Sequence, residues 1–249
     1  MEAIDTIKLS TSQSDEAALN ESVYLDNNLG LMSFTDVDAW TSKTADVNAE
    51  NVMVLNRGDF WSRGDNWRQV LQKIHGKDWP DDIFNYYLSD LAGKEFPAPK
   101  ALGELKFSQY GSSIYECTNG NHRVVAGKCW LLSKYPDNAT FKNVNIICYP
   151  VYDELKPLIS ELVSSNTDCF VAHIPADYRN SRNSKGEMIQ CYFMPNDGSF
   201  KVYSWSGKTL TLTRHSKLTI DKWLLNRGIG PFFQSWVLCP ASVLSRLIA

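Results

Sequence analysis

Short apolar runs separated by polar turns organise the first part of the chain. The run NVMVL at residues 51–55 predicts a short buried strand. Residues 65–76 carry a helical pattern, with Asp65 or Asn66 as the N-cap and a glycine at the end. A second helical pattern at 80–93 begins with a proline and two aspartates and also ends at a glycine. This part therefore predicts a strand followed by two amphipathic helices.

The middle of the chain predicts the order strand, tight turn, helix and strand. Residues 112–118, SSIYECT, have the β-branched and aromatic content of a strand. The apolar run at 124–135 predicts a helix that Pro136 ends. Residues 143–149 then predict a buried strand. This order of elements is typical of a mixed α/β core.

From residue 166 onward, apolar and polar residues alternate in several short runs. Turn signals at Asn196-Asp-Gly and Ser206-Gly separate the runs, and such alternation predicts a small antiparallel meander. Residues 217–232 predict a short helix that a glycine stops. The whole pattern predicts an α+β fold, in which a mixed α/β core is followed by a β-rich C-terminal extension.

The chain is predicted to have three parts. Residues 1–50 are rich in Asp, Ser, Thr and Asn, so we expect an acidic, loosely ordered leader there. Residues 51–165 are expected to hold the core, and residues 166–249 the β-rich extension. With 249 residues the chain is long enough to bury a substantial core.

The composition indicates an ordinary globular protein, with 43% hydrophobic and 21% charged residues. The sequence lacks an apolar run of the roughly 18 residues that a membrane span needs, and its start lacks the regions of a cleaved signal peptide. The six cysteines are widely spaced and form no zinc-site pattern, so free thiols are expected. We therefore expect no membrane contact, and a cytoplasmic location or delivery into a host cytosol without a cleaved signal.

Charge is distributed unevenly along the chain. Residues 1–60 carry eleven acidic and three basic side chains, whereas residues 166–249 carry five acidic and ten basic ones. The basic end is compatible with an ordinary solvated face and also with contact to phosphate or nucleic acid. Both interpretations remain open at this point.

The motif R-G-D-x-W occurs twice, at residues 57–61 and 63–67. Its aspartates, Asp59 and Asp65, lie beside arginines in glycine-containing loops. Such residues hold a metal ion or a substrate in some proteins, and they form loop salt bridges and helix caps in others. The sequence leaves both roles open for these two carboxylates.

The segment Asn119-Gly-Asn-His-Arg123 lies between the strand predicted at 112–118 and the apolar helix that follows it. A helix that begins at a glycine presents unpaired backbone N–H groups, which favour an anion together with the helix dipole. Arg123 offers a planar fork for phosphate or carboxylate, and His122 can donate a hydrogen bond or transfer a proton near neutral pH. Asn119 and Asn121 can fix the turn or add amide contacts. These residue types suit a phosphate-bearing ligand.

A purely structural interpretation of the same segment is equally available from the residues alone. Asn119 and Gly120 would make the turn, His122 would cap the helix, and Arg123 would form a surface salt bridge.

The octapeptide from Asn119 to Ala126, NGNHRVVA, resembles the [D/N]-G-x-H-R-x-x-A signature of the ParB/sulfiredoxin-like superfamily. A proline-containing segment at 96–99 precedes the strand, and a buried strand with an Asp/Glu turn follows the helix, as in that superfamily. The likeness spans roughly residues 80–160. It implies that Gly120, His122 and Arg123 contact nucleotide phosphates. Members of the superfamily include CTP-dependent DNA clamps, ATP-dependent sulfiredoxin, small-molecule kinases and proposed nucleases.

Departures from the family pattern narrow these activities. Sulfiredoxin has its reactive cysteine directly before the His-Arg pair, whereas this chain has Asn121 there and carries Cys117 farther back, on the predicted strand. The DNA-partitioning members have Glu-Arg-Arg in this segment and a helix-turn-helix domain behind it, and this chain has neither. Asn119 replaces the usual aspartate before the glycine, which removes a candidate metal ligand or base.

The leading hypothesis is therefore an enzyme that binds a nucleotide or another phosphorylated ligand at this segment and carries out phosphoryl or nucleotidyl chemistry, as an NTPase or kinase does. The expected cofactors are Mg²⁺ and a nucleoside triphosphate, ATP or CTP. Its catalytic residues would be His122 and Arg123, with Asp59, Asp65 or Glu116 as the base or magnesium ligand.

Two other hypotheses remain. One is a nucleic-acid-binding protein or nuclease that uses the same segment for backbone phosphate. The other is a non-catalytic effector that binds a protein partner through the C-terminal extension.

Overall fold

The computed structural model describes residues 2–25, 29–173, 190–196, 199–205, 209–216 and 237–249. Within these residues the fold is α+β, as the sequence predicts, with one mixed six-stranded sheet and one antiparallel five-stranded sheet. Contacts divide the chain into two compact units. The first unit comprises residues 1–26 with 38–149, and the second comprises residues 27–37 with 150–249. The predicted boundary at residue 165 thus differs from the division, which follows residue 149.

The helices are α1 Ala3–Ser12, α2 Trp67–Gln72, α3 Asp82–Tyr87, α4 Asn121–Lys134, α5 Lys156–Ser164 and α6 Ala241–Ile248. The strands of the first unit are β1 Tyr24–Leu25, β2 Thr41–Asn48, β3 Val52–Leu55, β4 Lys106–Tyr110, β5 Ile114–Asn119 and β6 Thr140–Tyr149. Those of the second are β7 Cys169–His173, β8 Gln190–Asn196, β9 Ser199–Trp205, β10 Leu210–Ser216 and β11 Val237–Cys239.

The sheet of the first unit has the strand order β1-β3-β5-β4-β6-β2. Strand β3 runs parallel to β5, with Leu55 opposite Cys117. Because the carboxyl ends of parallel neighbours meet at one edge of a sheet, the residues after β3 lie beside the end of β5 and the start of α4.

Local sequence explains the helices around this edge. Asn66 caps α2 and forms a reciprocal capping box with Gln69, which confirms the predicted helix and selects Asn66 over Asp65 as its cap. Helix α3 lies within the range predicted for it. Helix α4 begins at Asn121, before the predicted position 124, because Gly120 adopts a left-handed conformation and serves as the N-cap. His122 and Arg123 therefore belong to the first helical turn.

The prediction of a loosely ordered leader at residues 1–50 is wrong for two segments. Helix α1 buries Ile4 and Ile7 in the core of the first unit, and β2 pairs antiparallel with β6. Both are inconspicuous in sequence, because α1 buries one narrow stripe and β2 is a largely exposed edge strand with mainly polar residues.

The second unit contains the predicted meander, in the strand order β10-β9-β8-β7-β11, with every neighbouring pair antiparallel. The helix predicted at 217–232 lies outside the described residues. Where their side chains are described, the cysteines are free, as expected. Among the residues that the structure describes, no helix has both the length and the apolar character that a bilayer crossing requires.

Candidate functional site

A cavity of about 420 Å³ lies in the first unit, where β3 and β5 end and α4 begins. Its polar lining comprises Asn56, Arg57, Thr118 and residues 119–123. We call residues 119–123 the α4 corner. Its remaining lining is Lys100 together with five apolar residues, Trp79, Phe96, Pro99, Ala101 and Leu102, which we call the apolar lining. The structure thus brings the whole predicted segment 119–123 to one cavity.

Gly120 gives the α4 corner its shape. Its φ of 94° lies in the left-handed region, and an added Cβ would lie 2.4 Å from a Leu105 methyl group and 2.8 Å from Nε of Arg123. Side chains are therefore excluded by both the backbone conformation and the close packing.

The amino end of α4 has no side-chain cap. Its first intrahelical hydrogen bond runs from the N–H of Val124 to the carbonyl of Gly120 at 2.9 Å. The N–H groups of the three preceding helical residues consequently lack acceptors within the helix. Together with the helix dipole, these donors favour an anion at this end of the cavity. The expected capping role of His122 is not observed.

Arg123 is buried and binds backbone rather than a surface carboxylate. Its guanidinium donates to the carbonyls of Gly103 at 2.6 Å and Leu102 at 3.1 Å, and it lies 5.8 Å from the centre of the Phe96 ring. Asn119 donates to the carbonyl of Glu104 at 2.6 Å. Both side chains thereby hold residues 102–104 against the α4 corner. Since a guanidinium has five N–H groups, the two carbonyls do not exhaust its donors.

His122 is half-buried, and its ring contacts Phe60 edge-on at 4.3 Å between centroids. Its Nε2 is buried and has no hydrogen-bond partner among the described residues. Burial lowers the pKa of His122 below its usual value, and Arg57 lowers it further, while Asp59 opposes the shift. The imidazole is therefore neutral at neutral pH.

Asn121 is 6% exposed, and its Nδ2 donates to Oδ1 of Asn56 at 2.6 Å. Asn56 in turn donates to the carbonyl of Thr118 at 2.8 Å. This leaves Oδ1 of Asn121 buried without a donor among the described residues. A buried polar atom without a partner is unusual in a native protein and marks a candidate functional position.

Positive charge dominates the cavity. Its lining includes Arg57, Lys100 and Arg123, and no carboxylate of the described residues belongs to it. Arg57 is exposed and donates to Asp59 at 2.6 Å, and this hydrogen bond lowers the pKa of Asp59. The cavity therefore has the electrostatic character of an anion site.

The three acids that were candidate bases lie in different places. Asp59 lies near the α4 corner, paired with Arg57. Asp65 accepts from the N–H of Ser62 and binds Lys73, so its observed contacts are those of a loop salt bridge. Glu116 is buried and accepts from the hydroxyl of Tyr110 at 2.8 Å. Neither Asp65 nor Glu116 lines the cavity.

The side chains around the cavity do not fit a protein-held Mg²⁺ ion. Magnesium prefers carboxylate oxygens, and the described lining supplies none. Across the part of the chain that the structure describes, no three His, Cys, Asp or Glu side chains are close enough together to hold a metal. We therefore assign no resident magnesium site.

Several lining residues are not predicted from the sequence. Asn56 and Arg57 directly follow β3, and the parallel pairing of β3 with β5 was the signal that could have found them. Trp79, Phe96 and Lys100 carry no comparable signal, because only tertiary packing brings their segments to the α4 corner.

Comparison of the chain with protein-family models, curated proteins and solved structures finds no significant match. The resemblance to the ParB/sulfiredoxin-like superfamily therefore rests on the motif at 119–126 and on the order of elements.

Proposed function

We propose that this chain binds a nucleotide or another phosphorylated ligand in the cavity at the α4 corner and carries out phosphoryl or nucleotidyl chemistry there. One observation carries the proposal: the amino end of α4, which follows Gly120 and has no side-chain cap, lies at a cavity lined by cations and by no described carboxylate. Such an arrangement favours the binding of phosphate groups.

Two kinds of donor would hold the phosphate. The first-turn N–H groups of α4 provide fixed dipoles, which need no rearrangement when charge develops during reaction. Arg57 and Lys100 provide full positive charges from exposed side chains. Arg123 stabilises the site by a different route, because it holds the segment that carries Leu102 and Gly103.

His122 supplies a group for proton transfer. Its lowered pKa keeps the imidazole neutral, so it can accept a proton from an attacking water or hydroxyl oxygen. As that oxygen bonds to phosphorus, its proton passes to the imidazole and the bond from phosphorus to the leaving oxygen breaks. The N–H groups of α4 and Arg57 would offset the charge that collects on the phosphate oxygens.

We propose ATP or CTP as the ligand. Since the described lining does not fit a resident Mg²⁺, a magnesium ion would arrive bound to the nucleotide phosphates.

The test is thermal unfolding of the wild type and of Arg57→Ala against ATP, ADP, CTP, GTP and short DNA, with and without Mg²⁺. A ligand that binds only the native state raises the melting temperature by mass action. We expect one nucleotide to raise it in the wild type and not in Arg57→Ala. Arg63→Ala is the matched control, because Arg63 is the exposed arginine of the second R-G-D-x-W copy and does not line the cavity.

Other results would separate the alternatives. Binding of DNA alone, with a steep dependence on salt, would favour the nucleic-acid hypothesis. No shift with any ligand would refute the proposal. Release of phosphate or transfer of a phosphoryl group, lost in His122→Gln while nucleotide binding persists, would distinguish an enzyme from a binding protein.

A further inference from the structure

The apolar lining gives the cavity a second chemical character. Trp79 is half-buried, Phe96 is buried, and Leu102 is 81% exposed, yet all three border the same space as the cationic α4 corner. A site for inorganic phosphate alone has no use for an aromatic and aliphatic surface. Cavities that bind small organic ligands typically have volumes of about 300–1,000 Å³, and this one, with about 420 Å³, is large enough for such a ligand.

Trp79 is held firmly in its position. Its ring contacts the Phe96 ring edge-on at 5.0 Å between centroids. Behind it lies Gly76, where an added Cβ would be 2.9 Å from the indole Cε3. The indole therefore packs against protein on two sides, and such packing lowers the entropy that ordering the ring on binding would cost.

The apolar lining begins where the α4 corner ends. Arg123 lies over Phe96 at 5.8 Å, and Phe96 contacts Trp79. Nδ2 of Asn119 lies 3.4 Å from the carbonyl oxygen of Leu102. A molecule with a phosphate at one end and a flat ring at the other would thus find both surfaces within one cavity.

We infer that the ligand is a nucleoside phosphate whose base lies against the apolar lining, with Trp79 as the main contact. The inference rests on the proposed function, and it deepens that function by naming the residues that hold the base. Stacking of a base on an aromatic side chain accounts for about a tenfold gain in affinity or more. Leu102, at the exposed rim, would be covered by the same ring.

The experiment is calorimetric titration of the full chain with pyrophosphate, ADP and CDP, for the wild type, Trp79→Ala, Trp79→Phe and Leu102→Ser. We expect ADP or CDP to bind the wild type at least about tenfold more tightly than pyrophosphate. Trp79→Ala should reduce the affinity for ADP and CDP to that for pyrophosphate, and it should leave the affinity for pyrophosphate unchanged. Trp79→Phe should retain most of the wild-type affinity for ADP and CDP. Leu102→Ser should weaken nucleotide binding several-fold, and the exposure of Leu102 protects the fold in that variant.

The contrary outcomes distinguish failure of the base-binding inference from failure of the proposed function. Equal wild-type affinity for pyrophosphate and both nucleotides would overturn the inference and leave the proposed function intact. Nucleotide binding that neither Trp79→Ala nor Leu102→Ser weakens, with circular dichroism showing intact folds, would place the base elsewhere and also overturn it. Absence of binding by all three probes would overturn the inference and the proposed function together. Arg57→Ala, which should weaken all three probes alike, reports on the phosphate site independently of the base.

Discussion

Asn121 donates from Nδ2 to Oδ1 of Asn56 at 2.6 Å, and this bond ties the first turn of α4 to the end of β3. Asn56 donates to the carbonyl of Thr118 at 2.8 Å. Because a carbonyl oxygen only accepts, this second bond fixes the orientation of the Asn56 amide, which then fixes that of Asn121. The unpartnered Oδ1 of Asn121 therefore follows from the hydrogen-bond chain itself.

Replacing Asn56 with alanine should destabilise the protein. The change leaves the buried amide of Asn121 without its acceptor, so we expect the free energy of unfolding to fall by about 1–3 kcal/mol. Urea unfolding measures this loss, with Asn138→Ala as a control at an exposed asparagine. In a double-mutant cycle, Asn121→Ala should cost less in the Asn56→Ala background than in the wild type. Additive effects of the two changes would contradict the coupling.

Gly120→Ala should destabilise the protein more than Gly64→Ala. The two glycines have φ of 94° and 92°, but an added Cβ meets Leu105 at 2.4 Å in the first case and nothing within 4 Å in the second. Gly64→Ala should therefore cost about 1 kcal/mol from backbone conformation alone, and Gly120→Ala about 1–3 kcal/mol more from overpacking. Equal losses in urea unfolding would show that the close packing at Gly120 relaxes freely.

His122 should make the protein less stable in mild acid. Burial lowers its pKa in the folded state below the usual 6.5, so between these two pKa values the unfolded chain binds more protons than the folded one. Stability therefore falls as the pH drops below about 6.5, until the folded pKa is reached. Urea unfolding from pH 8 to pH 5 should show this loss in the wild type and a smaller one in His122→Gln. His75→Gln is the control for loss of an imidazole, because His75 is exposed. Identical pH profiles of stability for the wild type and His122→Gln would show that His122 does not cause the loss of stability in acid.

Lys128→Ala should be among the more damaging single changes in α4. The side chain is fully buried, and Nζ donates to the carbonyls of Glu50 at 3.2 Å and Val52 at 2.7 Å while lying 4.3 Å from the centre of the Trp67 ring. We expect a loss of about 2–4 kcal/mol in the free energy of unfolding. Lys134→Ala, at an exposed position of the same helix, should change it by less than about 0.5 kcal/mol.

A second variant separates the causes of that loss. Lys128→Met keeps most of the apolar stem but removes the hydrogen bonds to the two carbonyls. It should lie between the wild type and Lys128→Ala in urea unfolding. Wild-type stability in Lys128→Met would show that packing of the stem, rather than the ammonium group, holds this part of the core.

Local patterns were sufficient to predict several elements of the fold. The caps and apolar spacing at 65–76 predicted α2, and the β-branched residues before Asn119 predicted β5. Both signals act within a few residues, so neighbouring side chains decide the outcome. Local patterns did not predict α1 and β2, since a narrow buried stripe and a polar edge strand become ordered only through their distant partners.

By itself, the sequence determined the α+β class, the antiparallel meander and the glycine-containing turn at 119–123 that leads into a helix. These features depend on local periodicity, on turn residues and on the unique backbone freedom of Gly120. Only the tertiary structure decided what surrounds that helix start. Parallel pairing of β3 with β5 brings Arg57 to the α4 corner, and packing of separate segments adds Trp79 and Lys100. The tertiary structure also directs Arg123 toward backbone carbonyls, because a buried guanidinium must satisfy its donors wherever the fold supplies acceptors.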